Sequence, residues 1–330
     1  MAQAIGIGKY SFAILLGMLS AWPALSQEAI SYPSKLVTLV SPNQPGGTTD
    51  KDGRIWIEKL KESTGHQFVL DFKPGANTIV GTRYVTKAAP DGHTLLLTTA
   101  VFTVSAVVYR DRLGYDPIKD LFPVTLTLER PTALLVNAAL PVNNFTEYLA
   151  YVRANPGKIN FGTTGNAGSY HLAGAWLHGA TKTNVTFVNY KAVAPLFVDL
   201  AAGRIDVAPA SVFTGLPFIK SGRARPIAIL SAERTALLPG LRTVAEQDIP
   251  GFNFSTWEGI LAPAGTSPAI VNKLASEFAR IVKAPDVAAR FVDDGTVLIG
   301  STPAVFRQFI GVEINRWEKL VQETGIKADD

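Results

Sequence analysis

The chain has 330 residues, of which 47% are apolar and 18% charged. That composition excludes a disordered chain, and the length exceeds what one hydrophobic core usually organises, so two lobes are expected. The absence of cysteine excludes a disulfide scaffold, a thiolate metal site and a cysteine nucleophile, and 31 basic against 27 acidic residues give a net charge of +4, too small and too evenly spread to indicate nucleic acid.

Residues 1–26 have the order of a secretory signal: Lys9, the apolar run Tyr10–Trp22, then Ala24-Leu25-Ser26 as a small-residue cleavage site. The competing reading is an uncleaved membrane anchor, but the run is 13 residues, short of the ~20 a spanning helix needs. Cleavage near Ser26 leaves 304 residues with a net charge of +3 and predicts an exported, soluble protein.

Strand and helix signals then alternate. Leu36–Val40 reads as a buried strand, Pro42–Thr49 as a loop and Asp50–Lys61 as a helix. Strands are expected at Gln67–Phe72, Thr94–Thr98, Ala133–Val136, Asn160–Thr163, Val185–Val188, Asp206–Ala210 and Pro226–Leu230. Helices are expected at Ile79–Ala88, from Val101, and at Thr146–Asn155, Tyr170–Gly179, Ala194–Ala201 and Leu216–Ser221. Phe122–Leu128 and Phe252–Leu261 are also strand-like. This alternation predicts an α/β fold of mostly parallel sheets flanked by helices. Three helical stretches end the chain, Pro268–Lys283, Pro285–Asp293 and Pro303–Thr324, each opening on proline; Ser267 and Thr302 are N-cap hydroxyls. The last carries Phe306, Phe309, Ile310, Ile314, Trp317 and Val321 on one core-facing stripe.

No enzyme signature is present. The four histidines form no H-E-x-x-H motif, and His171 and His178, about 10 Å apart along one predicted helix, cannot share a metal without a further ligand. There is no G-x-S-x-G elbow, no Walker A loop and no G-x-G-x-x-G motif. What is present is a set of neutral, donor-rich loops at strand-to-helix junctions. The first is Ser41–Asp50, with Asn43, Gln44, Gly46, Gly47, Thr48, Thr49 and Asp50. The second is Thr98–Ala100, with Thr99. The third is Gly162–Ser169, with Thr163, Thr164, Gly165, Asn166, Ala167, Gly168 and Ser169. The fourth is Pro209–Thr214, with Ser211 and Phe213. All lie where open α/β sheets bind ligands, and each feeds a helix N-terminus whose free N–H groups favour an anion. One such loop alone reads as an ordinary capped turn; four together point to a cradle for a small carboxylate. Phe102, Phe213 and Trp257 are candidates to line the cleft, with core packing as the alternative for each. Tyr190-Lys191, at the end of a strand, places a polar group such as that of Tyr190 at the cleft, or else leaves Lys191 as an ordinary solvated lysine. Arg130 is a charged contact if its strand crosses between lobes, or else one half of a surface ion pair with Glu129 or another acid.

Specific motifs then stand out along the whole chain after the signal: Tyr32-Pro33-Ser34-Lys35, Pro45-Gly46-Gly47, Pro74-Gly75-Ala76, Ala89-Pro90-Asp91-Gly92-His93, Tyr115-Asp116-Pro117, Asn155-Pro156-Gly157-Lys158, His171-Leu172-Ala173-Gly174, Tyr190-Lys191 and Leu261-Ala262-Pro263-Ala264-Gly265-Thr266. In these the chain resembles the Bug-type solute-binding receptors of tripartite tricarboxylate transporters. The resemblance implies a two-lobed, Venus-flytrap, type II-like periplasmic-binding-protein fold, without cofactor or metal. It implies a monomeric receptor in the periplasm of a Gram-negative bacterium that passes a small carboxylate (a di- or tricarboxylate, an acidic amino acid or an aromatic carboxylate) to a membrane permease of two subunits. Lobe one would hold residues 31–128 and 252–330, lobe two 129–251, with hinge strands near 127–131 and 251–256. The ligand carboxylate would be held by Pro42–Asp50 and Gly162–Ser169. Thr48 replaces a usual third glycine, Asn77-Thr78-Ile79 a usual Gly-Gly-Asn, Ala192 a usual glycine, and Asn43 and Gln44 a usual aromatic and proline; these departures bear on the ligand rather than the fold. A ligand sensor acting on a membrane receptor and an enzyme on the same fold are the alternatives.

Overall fold

A computed structural model describes residues 32–165, 168–247 and 249–327. The expected export segment lies outside these residues. The first β-branched run forms β1 (Val37–Ser41), and its loop enters α1 (Thr48–Thr64). Next come β2 (Phe68–Phe72), α2 (Ile79–Thr86), β3 (Thr94–Thr99) and α3 (Ala100–Val108). A long strand, β4 (Leu121–Asn137), follows, then α4 (Phe145–Ala154), β5 (Asn160–Thr164), α5 (Ser169–Thr181), β6 (Thr186–Tyr190), α6 (Val193–Ala201), β7 (Val207–Ser211), α7 (Val212–Lys220) and β8 (Ala224–Ile229). The chain returns through β9 (Ser255–Pro263), α8 (Pro268–Ile281), α9 (Pro285–Phe291), β10 (Val297–Leu298) and α10 (Pro303–Thr324).

Local chemistry explains the helix limits. Ser267 and Thr302 accept from the N–H groups of Ile270 and Val305, each at 3.3 Å, and Pro268 and Pro303 follow as the first helical residues, where a missing N–H costs nothing. α1 stops at Gly65, whose left-handed φ of 72° lets its N–H reach the Lys61 carbonyl.

Two sheets share β4. Its first part, Leu121–Pro131, runs antiparallel to β9 in the order β2-β1-β3-β9-β4, with β10 on its other edge. Its last part, Thr132–Asn137, lies between β7 and β8, and β5 and β6 extend that sheet. Pairing is parallel for β1 with β2 and β3, and for β5 with β6 and β7. It turns antiparallel wherever β4 or β9 enters, because these strands carry the chain from one sheet towards the other.

The two strand signals expected at Phe122–Leu128 and Ala133–Val136 are therefore one strand of 17 residues. Glu129, Arg130 and Pro131 interrupt the apolar pattern between them, yet all three stay in register opposite β9. Pro131 sits where β4 changes neighbours, so its missing N–H breaks no continuous ladder. α10 serves both sheets. Phe306, Ile310 and Ile314 join the core around Trp257, whereas Trp317 and Leu320 join the core of β5, β7 and α5, with the Trp317 ring 6.5 Å from Trp176 and 6.3 Å from Phe254. Phe309 and Val321, expected on the buried stripe, are only half-buried, and Leu320 takes the inward place at the helix end.

Candidate functional site

Five strand-to-helix junctions open onto one cavity of about 870 Å³. α1, α3, α5, α6 and α7 all begin at its wall. Their cap residues are Gly47, Thr99, Gly168, Ala192 and Ser211, and of these only Ser211 caps its helix with a side chain, accepting from the Thr214 N–H at 3.3 Å. The first turns of the other four keep N–H groups that no cap side chain satisfies, at the positive end of each helix dipole. The arrangement suits a small anion without a fixed positive charge.

Of the expected site residues, Asn43, Gln44, Gly46, Gly47, Thr48 and Thr49 line the cavity from the first loop. Thr99, Thr164 and Ser169 line it from the next two junctions, and Ser211, Phe213 and Trp257 complete the group. Phe213 is also covered by Lys51, whose Nζ lies 5.1 Å from its ring centre and so ties α1 to α7. Trp257 is buried edge-on between Phe306 and Phe309, at 5.8 and 5.3 Å.

Other expected residues support the wall instead of forming it. Asp50 turns back on its own loop: Oδ2 accepts the Gly46 N–H at 2.8 Å and Oδ1 accepts Arg54 Nε at 2.6 Å. These bonds hold its carboxyl below the usual range, Gly46 contributing most. An ionised carboxylate spent in this way braces the loop and does not face the anion. Phe102 is fully buried in the core beside Leu121 and Leu126 and is absent from the cavity wall. Thr163 Oγ1 donates to Asn189, Gly165 takes a φ of 76° with its N–H on the Tyr190 carbonyl, and Gly168 closes the turn to α5. A Cβ on Gly168 would lie 2.0 Å from the Thr164 carbonyl oxygen, so only glycine fits there. Tyr190 Oη donates to Asp199 at 2.7 Å, away from the cavity, and burial followed by that carboxylate pushes its pKa up to about 12. Asn166 and Ala167 lie outside the described residues.

The wall also holds residues beyond that set. Arg130, named from the sequence as a charged contact should its strand cross between lobes, lines the cavity and is no surface ion-pair partner: it is 4% exposed, and its Nη2 is 2.7 Å from Asp52 Oδ2 on α1. Its Nη1 is 3.7 Å from Glu258 Oε1 on β9. Burial and the charge of Asp52 push the Glu258 carboxyl well up, and burial also raises Asp52 against the pull of Arg130, so both acids hold a proton more tightly than they would in water. Two buried acids thus share one guanidinium at the cavity wall. Val193, Phe197 and Val198 line the cavity from α6, and Pro217 and Phe218 from α7, none of them selected from the sequence. The one signal for them was the apolar first turn following Tyr190-Lys191, which resembles any core-facing helix. Among the described residues no group of His, Asp or Glu could hold a metal ion, and no helix is long and apolar enough to cross a membrane.

Comparison with known proteins agrees with this geometry. Residues 53–326 match the family model described as tripartite tricarboxylate transporter family receptor. The chain is 35% identical over 305 residues to the UPF0065 protein in the tcbD-tcbE intergenic region of Pseudomonas sp. strain P51, covering 92% of this chain and 90% of that one. It is 31% identical over 300 residues to Protein BugT of Bordetella pertussis, covering 91% and 92%. Among solved structures, Rhodopseudomonas palustris Rpa4515 with adipate superposes with a TM-score of 0.81 at 31% identity, covering 90% of this chain and all (100%) of that one. MatC of the same organism with bound malate gives 0.77 at 28%, covering 88% and 100%. The likeness extends across both sheets, and the architecture is the two-lobed periplasmic-binding-protein fold. The chain belongs to the tripartite tricarboxylate transporter receptors, the Bug-type solute-binding family.

Proposed function

We propose that the protein is a periplasmic receptor that captures a small carboxylate between its lobes and delivers it to a two-subunit membrane permease. The observation that carries this reading is the convergence of five helix N-termini, four without a side-chain cap, on one cavity. The carboxylate sits between Pro42–Thr49 and Thr164–Ser169, with Asn166 and Ala167 of the second loop included, and Thr99, Ser211 and Thr214 add hydroxyls. The solved relatives with adipate and with malate support the ligand class. No step of bond cleavage is part of this reading, since the site binds and releases.

The lobes divide as the motifs imply. Residues 31–128 and 252–330 form one and 129–251 the other, with hinges near 127–131 and 251–256. The change of β4 neighbours at Pro131–Thr132 and the start of β9 at Ser255 support those limits. The receptor works as a monomer, exported by the segment that ends near Ser26. A thermal-shift screen against carboxylates tests the core of the proposal: a bound ligand at 100 times its Kd adds about 2.7 kcal/mol of stability. Stabilisation by a sugar or a metal ion with none by any carboxylate would overturn it.

A further inference from the structure

The cavity wall carries more information than a carboxylate site requires. On α6 and α7 it is built mainly from Val193, Phe197, Val198, Phe213, Pro217 and Phe218, and among the described lining residues of these helices Thr214, in the first turn of α7, alone has a polar side chain. Val193 and Val198 are 37% and 57% exposed, so they present apolar surface to the cleft instead of to the core. Apolar groups left open in a concave site are a seat for a ligand body. The polar groups come from the strand-to-helix junctions, Ser211 and Thr214 at the start of α7 among them, which hold the head group under the reading above.

The charged side chains of the wall set a second limit. Among the described lining residues they are Arg130 and Glu258. Arg130 is taken by Asp52 at 2.7 Å, and Glu258 lies 3.7 Å from the same guanidinium. A ligand ammonium meets only the Glu258 carboxyl, beside a guanidinium that repels it, and a third carboxylate meets no cation that is not already paired. Either would be desolvated without compensation, as would a hydroxyl pressed against α6.

We infer that the ligand is a carboxylate with an unsubstituted hydrocarbon body, aromatic or aliphatic, and that the exposed face of α6 with α7 is its seat. This rests on the carboxylate reading and narrows it: acidic amino acids and hydroxylated tricarboxylates are excluded.

The test is calorimetric titration of the purified protein with benzoate, adipate and glutarate, and with citrate, malate and L-glutamate. The tightest binder belongs to the first group, and glutarate binds at least about tenfold more tightly than L-glutamate, which differs by its ammonium. Val198→Asp weakens the best probe about tenfold while the ligand-free melting temperature stays unchanged, because Val198 is solvent-facing. A tightest binder from the second group, or full affinity in Val198→Asp, overturns the inference and leaves the carboxylate reading standing. Binding of none of the six overturns both.

Discussion

Buried charge at Arg130, Asp52 and Glu258 is tolerated because the three groups balance each other. Arg130 on β4, Asp52 on α1 and Glu258 on β9 meet where β4 pairs with β9, with the guanidinium 5.9 Å from the Phe291 ring. Removing the cation leaves Asp52 and Glu258 buried without their shared guanidinium, so Arg130→Met costs about 3–5 kcal/mol in urea unfolding. Burial favours a protonated Glu258, so Glu258→Gln keeps the shape and a donor there and changes stability by less than about 1 kcal/mol. Equal losses in the two variants would show that Glu258 is ionised. His178 gives a second test. Burial pushes its pKa down from 6.5 to about 4, and its ring nitrogens face Tyr148 Oη at 3.2 Å and Thr183 Oγ1 at 2.7 Å. The unfolded chain therefore binds a proton that the folded one refuses between these values. The contribution is complete above pH 6.5 and is lost as pH falls to about 4, a change of about 3 kcal/mol. His178→Gln flattens that part of the stability profile; an unchanged slope would place the titrating group elsewhere.

The elements differ in how much freedom their glycines need. Gly47, at the start of α1, has an extended φ of −90° and its nearest neighbour, the Gln44 carbonyl, is 4.0 Å from an added Cβ. Gly47→Leu therefore keeps the fold and fills the cavity, so carboxylate binding falls by more than about tenfold with little change in melting temperature. Gly259 in β9 is the opposite case, since an added Cβ would meet Phe306 Cζ at 2.3 Å and the Thr125 carbonyl oxygen at 2.9 Å. Gly259→Ala destabilises by about 1–3 kcal/mol, measured by denaturant, with α10 displaced. These contrasts show what was readable in advance. The alternation of strands and helices, the capping hydroxyls Ser267 and Thr302 and the first loop follow from local chemistry, so pattern alone found them. The continuity of β4 through Glu129 and Arg130 did not, because the partner that makes Arg130 acceptable in a strand comes from α1, dozens of residues away. Phe102 and Phe213 look alike in sequence, each just inside a helix after a donor-rich junction. Only packing turns one to the core and the other to the cavity. The α6 wall stayed hidden for the same reason: an apolar first turn signals burial, and its exposure exists only once the sheets are assembled.

At the scale of the whole molecule, β9 sits between β3 and β4, with Leu96 opposite Leu261. The first sheet is begun by residues near the start of the chain and completed by residues made far later. Until β9 arrives, β3 and the first part of β4 each keep an unpaired edge. A chain cut after residue 250 therefore gives no cooperative unfolding transition, which circular dichroism in urea would show; a sharp transition would mean that the residues of β5–β8 fold alone. The same placement sets an order of assembly on the ribosome. Strand edges that have no neighbour invite pairing with other chains, and here they persist until nearly four-fifths of the polypeptide has emerged. That long open interval exposes the chain to mispairing until β9 can enter.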